Sequence, residues 1–104
     1  MYLIITRAFP PELGGMQSLM WGLTKEMSKN FMIKVFADYH ESHKEFDNKE
    51  NFSIERVGGI KFLRKIRKAQ LINEFIKENK IQGIIAEHWK SLELIKTYKK
   101  KYLS

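Results

Sequence analysis

The sequence predicts an α/β fold: an open, mostly parallel sheet with flanking helices. Three observations carry that expectation. Short, largely apolar runs at Tyr2 to Thr6, Met32 to Ala37 and Ile81 to Glu87 suit buried strands. Two longer segments, Met16 to Ser28 and Lys61 to Asn79, place apolar residues at helical spacing. Strand-like and helix-like segments alternate in the order β-α-β-β-α-β-α, which is how a parallel sheet with crossover helices is built.

The elements follow in order. Tyr2 to Thr6 is the first strand. From Met16, apolar residues recur at Leu19, Met20, Leu23 and Met27, so one helix face is expected to be buried; Lys29-Asn30 supplies the stop. Met32 to Ala37 is the next strand. Asp38 to Asn51 is polar and charged without periodicity and reads as a surface loop, long enough to be mobile or functional. Phe52 to Val57 alternates as a short strand, and Gly58-Gly59 is a turn. In the longest periodic segment, Phe62, Ile66, Ala69, Ile72 and Ile76 form one stripe, widened by Leu63 and Phe75; Asn79 ends it. Ile84-Ile85-Ala86 gives the Ile81 to Glu87 strand a continuously apolar centre. Ser91 can cap a last helix, Leu92 to about Tyr102, whose end carries Lys99-Lys100-Lys101 in accord with the helix dipole.

Composition sets the limits. The 104 residues make one small domain at most, and 43% hydrophobic with 12% aromatic content suits a globular core of slender margin. The absence of cysteine excludes disulfide and thiolate chemistry and is compatible with a reducing compartment. There is no apolar run of about 18 residues to span a membrane, and no secretory signal is read. Cytoplasmic residence is the expectation. The net charge of +7 suits nucleic acid, an anionic bilayer or phosphorylated substrates, or serves only solubility.

The motif with most chemical content is Phe9-Pro10-Pro11-Glu12-Leu13-Gly14-Gly15-Met16. It joins the first strand to the first helix, the order in which α/β proteins build a phosphate site. The first helical N–H groups have no intrahelical partner, and the dipole favours an anion there. The glycines allow positive φ and close approach by a ligand; the prolines stiffen the loop and remove two donors. The loop is neither a dinucleotide fingerprint, which needs G-x-G-x-x-G, nor a Walker loop, which needs Gly-Lys-Ser/Thr. A plain turn is the competing reading.

Other constellations are weaker. His88 follows a strand's carboxyl end, where ligands sit in open sheets, or is a histidine satisfied by local hydrogen bonds. Trp89 reads as packing. His40, Glu41, His43 and Glu45 superficially suggest a metal site, but His-x-x-His inside a charged loop is poor support, and no metal is expected. Glu12 reads as a solvated loop carboxylate before a base. Lys61, Arg64, Lys65, Arg67 and Lys68 crowd the first half of the long helix, against the dipole's preference for acids. With an apolar stripe beside them they fit an interfacial helix on an anionic membrane. The competing and preferred reading is a solvated face whose stripe packs on the sheet.

A resemblance sharpens this. Ile4-Ile5-Thr6-Arg7-Ala8-Phe9-Pro10-Pro11-Glu12-Leu13-Gly14-Gly15-Met16-Gln17 resembles the N-terminal opening of group 1 (family 4) glycosyltransferases, followed by a helix with Leu19, Leu23 and Met27 on its apolar face. Met32-Ile33-Lys34-Val35-Phe36 resembles the family's next strand, although Asn30-Phe31 stands where Gly-His is usual. Gly83-Ile84-Ile85-Ala86-Glu87-His88-Trp89 resembles its strand ending in histidine and an aromatic. The resemblance implies the two-domain GT-B architecture of retaining enzymes. Residues 1–104 would be part of its N-terminal Rossmann-like domain, with the C-terminal donor-binding domain absent.

The resemblance further implies transfer of a sugar from a nucleotide-sugar donor to a hydroxyl of a glycan or lipid-linked acceptor. Gly14, Gly15 and Met16 would contact the donor diphosphate or sugar, and Glu12 and His88 would face the cleft or acceptor. The nucleotide-sugar is substrate, and no cofactor is implied. The family's Glu-x7-Glu motif and the basic residues that stabilise the leaving diphosphate are not in this sequence, so no residue is assigned a catalytic role. Catalysis needs charge stabilisation from both walls of a cleft, and activity by this chain alone is not expected. A split gene, a remnant and a binding module on the same fold all remain open. An association with the inner face of an anionic membrane is a further expectation. The alternative function is a small basic nucleic-acid-binding or interaction module. Its support is the charge. Against it, no nucleic-acid motif is present, and the aromatics occupy core-like positions.

Overall fold

The structure, a computed structural model, describes residues 1–87. The helix expected from Leu92 to Tyr102 lies outside the described residues. Four strands, β1 (Tyr2–Ile5), β2 (Ile33–Asp38), β3 (Ser53–Val57) and β4 (Gly83–Ala86), form one sheet in the order β3-β2-β1-β4. Every pairing is parallel, with Ile4 opposite Val35 on one side and Ile85 on the other. Helices α1 (Gly15–Ser28), α2 (His43–Asn48) and α3 (Lys61–Glu78) connect them. The expected class, an open Rossmann-like parallel sheet with flanking helices, is the one observed.

The apolar runs explain the two-sided burial. Successive strand side chains point to opposite faces. Leu3, Ile5 and Phe36 therefore meet Ala69, Ile72 and Ile76 of α3 on one face. Ile4, Ile33, Val35 and Ala37 meet Met20 of α1 on the other, with Phe9 and Phe52. Asn79 closes α3 by donating from Nδ2 to the Phe75 carbonyl at 2.9 Å.

Three expectations are corrected. First, the segment read as a surface loop contains α2. A helix this short has little stability of its own, and here tertiary contacts supply it. Phe46 stands edge-on to Phe9 and Trp21, and Asp47 meets Arg56. The connection between β2 and β3 is thus helical, like the others.

Second, α1 buries only part of the expected stripe: Met20 and Met27 face the core, but Leu19 and Leu23 do not. Gln17, Met20 and Thr24 point inward, with Trp21 and Met27 half-buried; Leu19 is 63% exposed and Leu23 is also exposed. The Thr24 hydroxyl donates to the Met20 carbonyl at 2.7 Å, so its burial leaves no unmet hydrogen bond. Two apolar rows share this helix, and the row containing the threonine faces the core.

Third, the α3 stripe is buried only from Lys68 onward. Phe62, Leu63 and Ile66 are exposed. Eighteen residues of helix run about 27 Å, longer than strands of four to six residues, so the first two turns project past the sheet.

Candidate functional site

Strand order decides where a ligand can enter. The chain moves from β1 to β2 to β3 in one direction, then crosses to β4 on the far side of β1. β1 is thus the strand at which the order reverses. In open α/β sheets ligands bind in the crevice at the carboxyl ends of the strands beside such a reversal. The Gly14-Gly15 loop leaves β1 at this point, and Glu87 stands just beyond β4.

Helix α1 opens with its polar end bare. Gly14 is the N-cap, no side chain caps the first turn, and no acid lies within it. The first helical bond is Ser18 N–H to the Gly14 carbonyl, at 3.1 Å. Gly14, Gly15 and Met16 are exposed. The positive end of the helix dipole therefore meets solvent at the crevice.

The two glycines have different reasons to be glycine. Gly14 takes φ 157° and ψ 169°, a combination L-residues avoid, and a Cβ there would collide with Gln17 Oε1. The fold itself requires it. Gly15 has a helical conformation, and a Cβ would meet nothing within 4 Å. Nothing in the described fold asks for glycine at Gly15.

Glu12 is exposed, and its carboxylate accepts a hydrogen bond from Gln17 Nε2 at 2.5 Å, bracing the loop against the helix. His88 lies outside the described residues. Arg7 and Glu87 bridge the carboxyl ends of β1 and β4: the Arg7 amide donates to Glu87 Oε1 at 2.6 Å, and the Arg7 guanidinium approaches the same oxygen at 3.5 Å.

A buried charge network beneath the loop was not foreseen. Arg56, whose side chain is 4% exposed, donates from Nη2 and Nε to the two Asp47 oxygens at 2.8 and 3.2 Å. Its Nη2 also reaches the Pro10 carbonyl at 2.5 Å, and its Nη1 the Asp38 carbonyl at 3.2 Å. One guanidinium thus fixes the glycine loop to β2, β3 and α2. His43 Nδ1 lies 3.0 Å from Asp47 Oδ2. The sequence held one signal for this: Arg56 is two residues from Ile54 and shares its inward-facing register.

Lys68 corrects the basic-face reading. It is 8% exposed and donates to the Thr6 carbonyl at 2.7 Å and to Asp38 Oδ1 at 3.0 Å. It pins α3 to the carboxyl ends of β1 and β2 and is not available to a membrane. Burial pushes its ammonium below the ordinary lysine value, while the attraction and hydrogen bond of Asp38 work in the opposite direction. Arg64 leans on the other Asp38 oxygen, Nε to Oδ2 3.4 Å. Lys61, Lys65 and Arg67 are exposed.

The histidines of the β2–β3 connection serve locally. His40 Nδ1 accepts from the Ser42 amide at 3.1 Å, and His43 stacks edge-on to Tyr39. Among the described residues, no three or more His, Cys, Asp or Glu side chains gather as a metal site would require. A groove of about 510 Å³ lies at the opposite, amino end of the strands, lined by Ser28, Asn30, Phe31, Asn51 and Phe75 among others. That end is remote from the crevice. No helix among the described residues is long and apolar enough to cross a membrane.

No protein-family model and no curated protein sequence matches this chain.

Proposed function

We propose that this chain is the N-terminal part of a retaining, two-domain glycosyltransferase, and that the start of α1 receives the donor diphosphate. One observation supports the reading above the rest. An uncapped helix N-terminus, entered through Gly14-Gly15, opens where the strand order reverses. The Gly15 position, where the fold leaves room for a Cβ, suits a backbone that a ligand must approach closely.

In the proposed reaction the bond from the sugar's anomeric carbon to the diphosphate oxygen breaks. A bond from an acceptor hydroxyl oxygen to that carbon forms, and the hydroxyl proton leaves with the nucleoside diphosphate. The first-turn amides of α1 would stabilise negative charge gathering on the diphosphate. The opposite wall, from a second domain, would hold the nucleotide. Binding to this half alone is therefore weak and directed at phosphate.

The test is saturation-transfer NMR with uridine and uridine diphosphate, with inorganic pyrophosphate as competitor. The reading expects saturation of the diphosphate, lost as pyrophosphate is added, and little of uridine. Equal saturation of uridine and its diphosphate, or none of either at millimolar concentration, would refute it.

A further inference from the structure

We propose that the outward face of α1 pairs, antiparallel, with the same face of a second copy of this chain, so that Glu26 of each copy closes the other's helix N-terminus at Gly15. Gln17, Met20 and Thr24 define the buried side of α1. Gly15, Leu19, Gly22 and Glu26 recur at helical spacing on the opposite side, and all four are exposed. Met16 and Leu23, 44% and 38% exposed, flank them, and Leu13 carries the apolar strip into the loop. Such a row of apolar side chains is unfavourable in water unless something covers it.

Gly22 adds a second observation. Glycine inside a helix weakens it, and a Cβ at Gly22 would meet nothing within 4 Å. The described fold gives no reason for glycine there. Between Leu19 and Leu23 it leaves a notch in an apolar ridge, of a size to take a leucine from a facing helix.

Charge and spacing identify the occupant. The chain carries +7, yet residues 12–30 hold two acids, Glu12 and Glu26, and two bases, Lys25 and Lys29. This neutral strip has no surplus of cations for a nucleic acid or an anionic bilayer, and a second copy meets no net repulsion there. A two-fold axis crossing α1 sets the helix antiparallel to its copy and makes each contact occur twice. With the axis between Leu19 and Gly22, each Leu19 stands opposite the partner's Gly22. Gly15 lies four residues before Leu19, and Glu26 four after Gly22, so each Glu26 stands opposite the partner's Gly15. The first turn of α1 has no acid of its own, and a carboxylate is what the dipole favours there. The Glu26 pair with Lys29, at 3.1 Å, is exposed on both sides and holds the carboxylate only weakly.

Pairing would regulate the crevice. The helix start proposed to receive the donor diphosphate is the one that the partner's Glu26 covers, so phosphate and pairing exclude each other. That exclusion rests on the proposed donor site; the pairing does not. One helix face is a small interface of the weak, transient kind, with an expected Kd of about 100 μM. The chain is then monomeric at low-micromolar concentration.

The experiment is analytical ultracentrifugation from about 5 μM to about 1 mM, a range that brackets this Kd. The wild type is expected to pass from monomer to dimer. Leu19→Ser is expected to lose association over the whole range, because the leucine is removed from both halves. Gly22→Gln fills the notch, and is expected to lose association while raising the Tm of the dilute monomer. Glu26→Gln is expected to weaken association about tenfold, acting at both ends. Leu63→Ser, at an exposed position elsewhere, should leave association unchanged. A monomer at every concentration, with or without binding to vesicles or an oligonucleotide, would overturn the proposal. So would association that survives Gly22→Gln, or that Leu63→Ser weakens equally. Millimolar inorganic pyrophosphate is expected to return the wild type to monomer. Pyrophosphate binding that leaves the dimer intact would overturn the register that sets Glu26 at Gly15. A dimer that binds no pyrophosphate even when diluted to monomer would refute the donor site while supporting the pairing.

Discussion

Replacing Arg56 by methionine removes the group that ties the glycine loop to the sheet, and the cost can be worked from its contacts. The guanidinium makes a two-point pair with Asp47 and donates to the Pro10 and Asp38 carbonyls. Breaking a buried ion pair from one side costs about 3–5 kcal/mol, because the remaining charge stays buried without its partner. Asp47 keeps His43 nearby and is 14% exposed, so the lower end applies, about 3 kcal/mol. Methionine retains most of the apolar stem, so little packing is lost. A domain of this size has about 5–15 kcal/mol in all, and 3 kcal/mol lowers Tm by roughly 12–24 °C. Urea denaturation followed by far-UV circular dichroism gives the stability of wild type, Arg56→Met, Asp47→Leu and the double variant. The double variant should recover much of the loss, with coupling above about 1.5 kcal/mol. A loss below about 0.5 kcal/mol for Arg56→Met, or no coupling, would show that the pair behaves as an exposed one and that the reasoning is wrong.

The remaining predictions concern the glycines, Lys68 and the α1 face. Gly14→Ala should cost about 1–3 kcal/mol through its backbone conformation, whereas Gly15→Ala should be neutral or stabilise by up to about 1 kcal/mol; chemical denaturation separates them. Lys68 binds its proton less tightly folded than unfolded, so stability rises with pH between its lowered folded value and 10.5, where the unfolded chain holds more protons. The stability difference between wild type and Lys68→Met should therefore grow across that window; a flat or falling difference contradicts the burial of the ammonium. Met20→Ala should cost about 2–5 kcal/mol and Leu19→Ala under about 0.5 kcal/mol, and the reverse ranking would place the Leu19 and Leu23 row in the core instead.

What could be read in advance depended on how local the cause was. The strands were legible because two-sided burial demands runs such as Leu3-Ile4-Ile5, and the helix ends because Gly14 and Asn79 act on their own neighbours. The α1 face was legible only at Met20 and Met27. Leu19 and Leu23 are better apolar residues than Gln17 and Thr24, and only a hydroxyl satisfied inside the helix makes the second row buriable. Helix α2 depends on Phe46 and Asp47 reaching Phe9, Trp21 and Arg56, contacts that no window of sequence contains. Lys68 looked like its four basic neighbours; its burial follows from α3 crossing the ends of β1 and β2. The glycine loop was legible as a motif, but the different demands on Gly14 and Gly15 needed the backbone.

The most direct test of the central claim is a residue-resolved titration. Amide chemical shifts of the ¹⁵N-labelled chain are followed as inorganic pyrophosphate is added, for wild type and for Gly15→Ala. The account predicts that the Gly15, Met16 and Gln17 amides move most in the wild type, and that the variant folds as well but binds more weakly. Shifts centred on the exposed lysines of α3, or unchanged binding by Gly15→Ala, would contradict it.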